Sequence, residues 1–332
     1  MKKMTFKDKD LIISKEGFIF LARGYQQSNF ADVILKYYPS SKKPYFTFKN
    51  KKYTWNKQTP NPDFLCTHPE YYSPASITLN RIHSFQVKEI LSPKSGYARL
   101  IDKEKLDPLE STALKFGKML EENGIPAASL GVTGTMLLGT HNPTYSDIDF
   151  VIQGSKNYRL ATEFVRTSLD FKPFSLNQWK RYYARHNIKS KYAKNFKQFL
   201  KTAQRKHDRL IFNNKPLSIF NKRNENEIRE TEKVINLQRI KAMGKIVADK
   251  ENSFHPAYYQ VNITQTNIKL NVDIKEIVAY GREYYSEGFK GDNFKCEGRL
   301  QFVMPKNKRS YFRIEIGYLD DSFLPQGTLN IL

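Results

Sequence analysis

The chain has 332 residues and carries 55 lysines and arginines against 33 acidic residues, so its formal net charge is +22. Hydrophobic residues make up 39% and aromatic residues 14% of the sequence, which excludes a wholly disordered chain. The sequence contains no apolar run of the roughly 20 residues that a membrane span needs, no secretory signal, and only two distant cysteines, Cys66 and Cys296. We therefore expect a soluble, cytoplasmic, basic protein of two or three domains.

Short strands are predicted in the first hundred residues, because apolar and polar positions alternate there between glycines and prolines. The predicted strands fall within residues 10–38, 45–55 and 83–90. Prolines break the chain into loops between them. This pattern indicates a β-rich N-terminal module over residues 1–100.

The first clear helix is predicted to begin after Asp107. This residue is a suitable N-cap, Pro108 fits the first helical position, and Glu110 completes a capping box. Gly124 is suited to the position that follows the last turn. A strand–turn–strand region over residues 129–152 is expected next.

Helices are predicted again after these central strands. Ser155 can cap one of them, and a basic region over residues 177–206 has apolar residues at helical spacing. Two apolar runs, 210–212 and 217–220, are joined by two asparagines, which predicts a β-hairpin. These segments complete a core module over residues 101–222.

The C-terminal part is predicted to consist mostly of strands. A charged stretch over residues 225–243 is expected to be a helical insert. The β segments that follow are 245–248, 258–263, 268–279, 294–304 and 311–318. Their spacing indicates a small barrel or a strongly curved sheet in a module over residues 223–332.

Two tracts combine basic with aromatic residues. Residues 36–57 hold seven lysines, seven aromatic rings and no acid, and residues 172–209 hold twelve basic residues with Asp208 as the single acid. Lysines release counterions from phosphates, and exposed rings stack on unpaired bases, so the mixture suits RNA or single-stranded DNA. We expect the 172–209 tract to be the main surface that binds the acceptor and the 36–57 tract to be secondary. The alternative is that both are solvated faces whose rings are buried in the core.

The central stretch carries the candidate chemistry. Asp147 and Asp149 stand two residues apart at the start of an apolar run. On a strand, side chains at i and i+2 point to the same face, so the two carboxylates converge and offer the oxygen ligands that Mg²⁺ accepts. Upstream, Gly134 lets a phosphate approach the backbone at the start of a short helix. The hydroxyl of Thr135 adds a further hydrogen bond.

This arrangement resembles the nucleotidyltransferase signature of the DNA polymerase β superfamily. In that signature a glycine followed by glycine or serine precedes an acid–hydrophobic–acid motif by about ten residues. Here the gap is the eleven residues 136–146, and Thr135 keeps the hydroxyl of the usual serine. The sequence is also similar to predicted archaeal nucleotidyltransferases of about this length, through segments 10–20, 131–154, 248–259 and 298–300.

The resemblance implies an α+β fold, in which a polymerase-β-like nucleotidyltransferase core, a mixed sheet with helices, is flanked by the β-rich N-terminal and β-barrel-like C-terminal modules. It implies transfer of a nucleoside monophosphate from an NTP to a hydroxyl acceptor, with Mg²⁺ or Mn²⁺ as cofactor and pyrophosphate as leaving group. Asp147 and Asp149 would hold the metal, and Gly134 and Thr135 would grip the β and γ phosphates. Three further residues lie near enough in sequence to touch a phosphate: His141, Ser146 and Lys156. For His141 the alternative is a residue that serves the loop.

The superfamily usually has a third carboxylate on a later strand, which helps to activate the nucleophile. The strand over residues 216–220 is the expected place for it, and that strand offers Ser218 instead. Asp273 lies in a suitable strand context and is therefore a candidate third metal ligand. The remaining candidates are Asp208, Glu225 and Asp249.

Three functions remain open at this stage. The favoured one is nucleotidyl transfer to a nucleic acid, with RNA preferred as the acceptor. A second keeps the enzyme class and replaces the acceptor with a protein or a small molecule. The third is a catalytically inactive nucleic-acid-binding protein on the same scaffold, which would account for the missing third carboxylate.

Overall fold

The computed structural model describes residues 3–42, 44–57, 61–73, 79–189, 194–229, 232–269, 272–317 and 328–332. The chain divides into two compact units, the first of Met1–Pro173 with Asp208–Asn224 and the second of Phe174–His207 with Glu225–Leu332. The predicted modules assigned the whole basic region over residues 177–206 to the core, whereas the unit division groups Phe174–His207 with the C-terminal strands. The expected mixed α+β class is confirmed. Within the described ranges, none of the helices combines the length and apolarity that crossing a bilayer requires.

The N-terminal part of the first unit is built on a seven-stranded sheet. Its strands are β2 (Leu11–Ser14), β3 (Ile19–Ala22), β5 (Phe30–Pro39), β6 (Phe46–Phe48), β7 (Lys51–Trp55), β8 (Asn80–His83) and β9 (Val87–Leu91). The order is β6-β7-β5-β3-β2-β9, and β8 pairs with β5. Every second side chain of β5 is buried along most of its length, as the alternating sequence predicts. A ribbon and a short helix complete this part: β1 (Met4–Phe6), β4 (Gln26–Ser28) and α1 (Pro62–Thr67).

A second sheet of the first unit has five strands in the order β10-β11-β14-β13-β12. These are β10 (Leu130–Val132), β11 (Ile148–Gln153), β12 (Phe171–Pro173), β13 (Arg209–Phe212) and β14 (Lys215–Lys222). The pair β11–β14 is parallel and the other pairs are antiparallel. Four helices accompany the sheet: α2 (Pro93–Asp102), α3 (Pro108–Glu122), α4 (Gly134–Leu138) and α5 (Ser155–Thr167). One face of β11 is buried in their shared core through Ile148, Phe150 and Ile152.

Local signals located the helix starts and the hairpin of this unit closely. The carboxylate of Asp107 accepts hydrogen bonds from the backbone amides of Leu109 and Glu110 at 2.8 and 2.9 Å, which confirms the predicted capping box. The helix predicted to be capped by Ser155 begins at that residue, with the preceding glycine as its N-cap. The predicted asparagine turn is also confirmed, because residues 213 and 214 have φ of 47° and 60° and join β13 to β14.

Within its described residues, the second unit includes two helices and a closed ring of strands. Its elements are α6 (Leu176–Arg185), α7 (Phe196–Ala203), β15 (Glu232–Glu251), β16 (Ala257–Thr266), β17 (Ile274–Ala279), β18 (Asn293–Pro305), β19 (Tyr311–Ile316) and β20 (Thr328–Ile331). The strand order is β15-β16-β17-β19-β18-β20, and β15 also pairs with β18, so that five strands close on themselves. The sequence had indicated a barrel or a strongly curved sheet here.

The prediction of a helical insert over residues 225–243 is wrong. After a single 3-10 turn at Glu225–Glu227, the chain forms β15, a strand of 20 residues. Residues 232–245 of this strand pair with β18, and residues 242–251 pair with β16. The hydrogen bonds from strands far along the chain override the local preference of a charged segment for helix.

Candidate active site

Asp147 and Asp149 stand where β11 begins. Asp149 is the second residue of the strand and is half-buried, while Asp147 precedes the strand and is exposed. The backbone amide of Thr133 donates to the carbonyl oxygen of Asp149 at 2.9 Å, which fixes this position against β10. Because the alternate residues of β11 point into the core, the side chain of Asp149 lies on the opposite face of the sheet.

Gly134 brings the start of α4 against Asp149. Its φ is +67°, in the left-handed region that glycine tolerates, and a Cβ atom there would lie 3.1 Å from Oδ2 of Asp149. The glycine and the second acid of the sequence motif are therefore close neighbours. Thr135 is half-buried, and its carbonyl oxygen accepts from the amide of Thr140 at 2.9 Å. Lys156, the second residue of α5, is exposed.

Internal hydrogen bonds fix the loop between α4 and β11. The Ser146 hydroxyl oxygen accepts from the amide of Asn142 at 2.9 Å, and the Ser146 amide donates to the carbonyl of Asn142 at 3.0 Å. Lys215 reaches across from β14 and donates to the carbonyl oxygens of Pro143 and Thr144. Ser146 is buried and organises the loop that leads into the acid pair. Its predicted contact with phosphate stays a prediction.

His141 lies in the same loop and faces the start of α3. Its Nε2 atom is 2.7 Å from Oδ2 of Asp107, and its side chain is only 5% exposed. The imidazole therefore ties the loop to the N-terminal turn of α3. The phosphate contact predicted for His141 stays a prediction, and the alternative of a residue that serves the loop agrees with this geometry.

Asp107, Glu110 and His141 also form a cluster with the composition of a metal site. One donor atom from each lies within 4.8 Å of the others. Lys103, however, donates to both carboxylate oxygens of Glu110, at 2.7 and 2.6 Å, and Glu110 also accepts from the amide of Asp107. A cation would have to displace this ammonium group, so the cluster is better described as a hydrogen-bonded clamp.

We expect the clamp to make the stability of the fold depend on pH. Burial raises the pKa of Asp107, but hydrogen bonds from the Glu110 backbone and from His141 outweigh it and hold that pKa below its ordinary value. Such a carboxylate stabilises the fold above its unfolded pKa, and this stabilisation is lost as the pH falls through the folded pKa. We expect Asp107→Asn, which can still cap the helix, to lower the free energy of unfolding by about 1 kcal/mol at neutral pH.

Urea unfolding of both proteins at a series of pH values measures this difference. The deficit should shrink as the pH falls below about 4. Asp170→Asn, which replaces an exposed acid just before β12, is the matched control and should have little effect at any pH. A deficit of the same size at neutral and acidic pH would contradict the prediction.

Register across the sheet places two further residues level with Asp149. The parallel pair β11–β14 sets Asp149 opposite Ser218, and the antiparallel pair β13–β14 sets Ser218 opposite Arg209. Directly opposite residues share a face, so a hydroxyl and a guanidinium stand in the same row as the carboxylate. Both are buried. The sequence predicted Ser218 at this strand, whereas Arg209 was missed because only the pairing reveals it.

The other candidate acids are distributed over both units. Asp208 precedes β13 in the first unit and is buried, with Oδ1 3.5 Å from Nη1 of Arg209. Asp273, which directly precedes β17, belongs to the second unit, as do Glu225 and Asp249. The metal-ligand role considered for each of these acids stays a prediction.

Sequence analysis also missed a buried charged segment near the N-terminus. Lys9 pairs with Asp8 at 3.1 Å, Asp10 pairs with Lys222 at 3.0 Å, and all four are buried. Burial raises the pKa of Asp10 even though Lys222 opposes the shift. Thr133, which directly precedes Gly134, donates a hydrogen bond from its hydroxyl to the carbonyl of Lys9 at 3.3 Å. Three consecutive charged residues are typical of a surface, so the sequence carries no signal of their burial.

The rings of the two basic tracts lie in different surroundings. In Phe174–His207 most of them pack together in one cluster, whose members include Trp179, Tyr182, Tyr183, Phe196 and Phe199. Trp179 and Phe199 are buried and the other rings of the cluster are half-buried, so the alternative of core burial holds for these rings in part. In the 36–57 tract Tyr37 and Tyr53 are buried, whereas Trp55 is half-buried and Tyr45 is 36% exposed.

The fold and the site together define a mixed α+β protein with an acid pair beside a glycine turn. The chain is 31% identical over 221 residues to the uncharacterized protein MJ1086 of Methanocaldococcus jannaschii. The matched region spans 65% of this chain and 63% of that protein. No family model and no solved structure matches the chain.

Proposed function

We propose that this protein is a metal-dependent nucleotidyltransferase, which moves a nucleoside monophosphate from an NTP to a hydroxyl acceptor. The observation that carries the proposal is the close approach of Gly134 to the carboxylate of Asp149, with Asp147 two residues away. A polymerase-β-like core is part of the same proposal. It is supported by the strand–helix–strand unit β10-α4-β11 and by the parallel pairing of β11 with β14.

The acid pair fits a divalent cation. Asp147 and Asp149 offer hard oxygen donors, and the exposure of the first and partial exposure of the second leave room for a ligand. When bound to these carboxylates, Mg²⁺ or Mn²⁺ would neutralise charge on the triphosphate and lower the pKa of the attacking hydroxyl.

The chain's own residues would hold and orient the substrate. The absence of a side chain at Gly134 lets the phosphates approach the backbone beside Asp149, and the Thr135 hydroxyl can donate to them. Arg209, level with Asp149 in the strand register, would add positive charge for the leaving pyrophosphate. Lys156 follows the far end of β11 from the acid pair, and its predicted phosphate contact stays a prediction. The acceptor hydroxyl then attacks the α-phosphate in line with the departing oxygen.

Incorporation of α-phosphate-labelled NTPs tests the proposal. The chain is incubated with Mg²⁺ and with RNA or single-stranded DNA, and we expect label to enter the nucleic acid, RNA in preference, unless EDTA is present. The double substitution Asp147→Asn/Asp149→Asn should lower incorporation about 100- to 1,000-fold, because it removes the charge that holds the metal. Asp170→Asn serves as the control and should keep full activity. Unchanged incorporation by the double variant would refute the assignment.

The residue opposite Asp149 favours a second candidate function. Ser218 occupies the position on β14 where a third carboxylate would complete the site. A catalytically inactive nucleic-acid-binding protein on this scaffold has no need of that acid, and it would bind RNA in a salt-sensitive manner without metal-dependent NTP binding. Calorimetric detection of Mg²⁺-dependent NTP binding would exclude this candidate. Label found only on a protein or a small molecule would indicate the same chemistry with a different acceptor.

A further inference from the structure

A cleft of about 880 Å³ opens in the N-terminal part of the first unit. It is lined by residues of β5, β7 and α1, and none of its lining residues belongs to the acid-pair site. Its walls are largely aromatic and include Phe18, Tyr38, Tyr45, Trp55, Phe64 and His68. A concave site with several rings and a few polar groups is the usual form of a ligand site in proteins.

The rings on the two sides of the cleft are arranged differently. Phe64 and His68 are stacked at 4.8 Å, and Phe18 meets both of them edge-on at 5.0 and 4.8 Å, so this wall is fixed by its own packing. Tyr45 and Trp55 are 6.3 Å apart with their planes inclined by 39°, and Tyr45 is stacked on Tyr37 at 6.4 Å. Tyr45 is nevertheless 36% exposed and Trp55 is half-buried, so part of each ring is accessible. The second wall therefore offers ring surfaces at the cleft on which a flat ligand can stack.

Acidic groups line the cleft between these walls. Glu16 accepts a hydrogen bond from the Tyr71 hydroxyl at 2.6 Å. Burial raises the pKa of Glu16, but this hydrogen bond helps to lower it below its ordinary value. Glu16 is therefore ionised at neutral pH. Asp63 is exposed in the first turn of α1. Carboxylates accept hydrogen bonds from the exocyclic amino groups of bases. The side chains of Asn56 and Asn61 are hydrogen-bonded to each other at 2.9 Å, and they hold the backbone of this region together.

The tract that forms one side of the cleft carries positive charge. Lys57 is one of its lining residues, with Nζ 5.9 Å from the centre of the Trp55 ring. Three more exposed lysines lie in the same tract, Lys42 in the loop between β5 and β6 and Lys51 and Lys52 on β7. The tract 36–57 contains no acid. Aromatic walls with carboxylates also suit an ammonium ligand, but this rim of lysines repels a cation and attracts phosphates.

We propose that the cleft binds an unpaired base of a single-stranded nucleic acid, with the lysines holding its phosphates. The proposal rests on the proposed function, because it names the site that binds the acceptor strand. It gives the main role to residues 36–57, the tract that the sequence had ranked second, since eight of the residues that line the cleft belong to this tract. A strand is favoured over a free nucleotide because the lysines extend along β7 and the loop between β5 and β6 and can contact several phosphates.

Tryptophan fluorescence can detect occupation of this cleft directly. The chain has two tryptophans, Trp55 and the buried Trp179, so in a Trp179→Phe variant only Trp55 emits. We expect a single-stranded RNA of about ten nucleotides to quench this emission in a saturable way and to bind more weakly as salt is raised. Fluorescence anisotropy of the labelled RNA with the otherwise unaltered chain provides a second measurement that does not depend on the Trp179 substitution.

Removal of a ring from the open wall should weaken binding. In the anisotropy assay we expect Tyr45→Ala and Trp55→Ala each to raise the dissociation constant about 5- to 100-fold, the loss typical of one stacked base. Phe85→Ala is the matched control, because Phe85 is 58% exposed in the same part of the unit and does not line the cleft. It should leave RNA binding unchanged.

Three results would overturn the proposal: quenching by tetramethylammonium but not by RNA, equal quenching by AMP and by RNA at the same concentration, or equal loss of binding in Phe85→Ala.

The assay is independent of turnover, so the Asp147→Asn/Asp149→Asn variant should still show quenching. A chain that transfers nucleotides without quenching by RNA refutes the cleft alone. A chain that is quenched normally but never transfers nucleotides refutes the proposed function alone.

Discussion

Replacement of Gly134 by alanine should reduce nucleotide transfer about 100-fold, whereas Gly139→Ala should leave it nearly unchanged. Gly134 is the first residue of α4 and Gly139 is its C-cap, and the two have almost the same left-handed backbone, with φ of +67° and +69°. A Cβ atom at 134 would lie 3.1 Å from Oδ2 of Asp149, while one at 139 would meet no described atom within 4 Å. The pair of variants therefore separates backbone strain from contact with the Asp149 carboxylate.

Thermal unfolding and steady-state kinetics together test this comparison. The left-handed conformation costs an alanine about 1 kcal/mol at either position, so the two variants should lose similar stability. Only Gly134→Ala should lose kcat, because its methyl group displaces Asp149 and closes the approach of the phosphates. Equal losses of activity in the two variants would show that strain in α4, and not the contact with Asp149, is responsible.

The largest loss of stability is expected from Glu287→Ala in the second unit. The carboxylate of Glu287 pairs with Lys194 and lies 3.2 Å from Nζ of Lys206, and all three side chains are buried. Burial lowers the pKa of Lys194, and the charge of Glu287 opposes that shift. Alanine would leave two buried ammonium groups without their carboxylate, so we expect the free energy of unfolding to fall by about 3–5 kcal/mol.

Urea unfolding followed by circular dichroism measures this loss. Glu297→Ala is the matched control, because Glu297 lies 3.3 Å from Arg239 in an exposed pair between β15 and β18. An exposed pair of this kind contributes at most about 1 kcal/mol. If the two substitutions lowered the free energy of unfolding equally, the prediction that the buried ion pairs of Glu287 contribute more stability would be wrong.

The parts of the fold that short-range signals determine could be predicted from the sequence. Asp107 caps α3 through groups two and three residues away, and the asparagine turn of β13–β14 needs only two positive φ angles. The strand β15 could not be predicted in the same way, because its partners β16 and β18 come later in the chain. A local reading of its charged sequence favours helix, and only the long-range pairing decides for strand.

The same distinction applies to the candidate site. The resemblance placed Gly134 and Asp149 in one site, and in the structure a Cβ atom at 134 would lie 3.1 Å from Oδ2 of Asp149. The chain between them consists of α4 and the loop over residues 139–147. The directions in which His141 and Ser146 face depend on α3 and on the loop itself, and the sequence does not encode them locally. Arg209 enters the row of Asp149 only through two successive strand registers.

The passage of β15 from one neighbour to the other has a consequence for how the second unit unfolds. Residues 242–245 are paired on both sides at once, with β16 and with β18, whereas the rest of the strand is paired with only one of them. The closure of the ring therefore depends on this one short overlap. An open sheet can fray from its outer strand, but a ring closed in this way is gained or lost as a single cooperative unit.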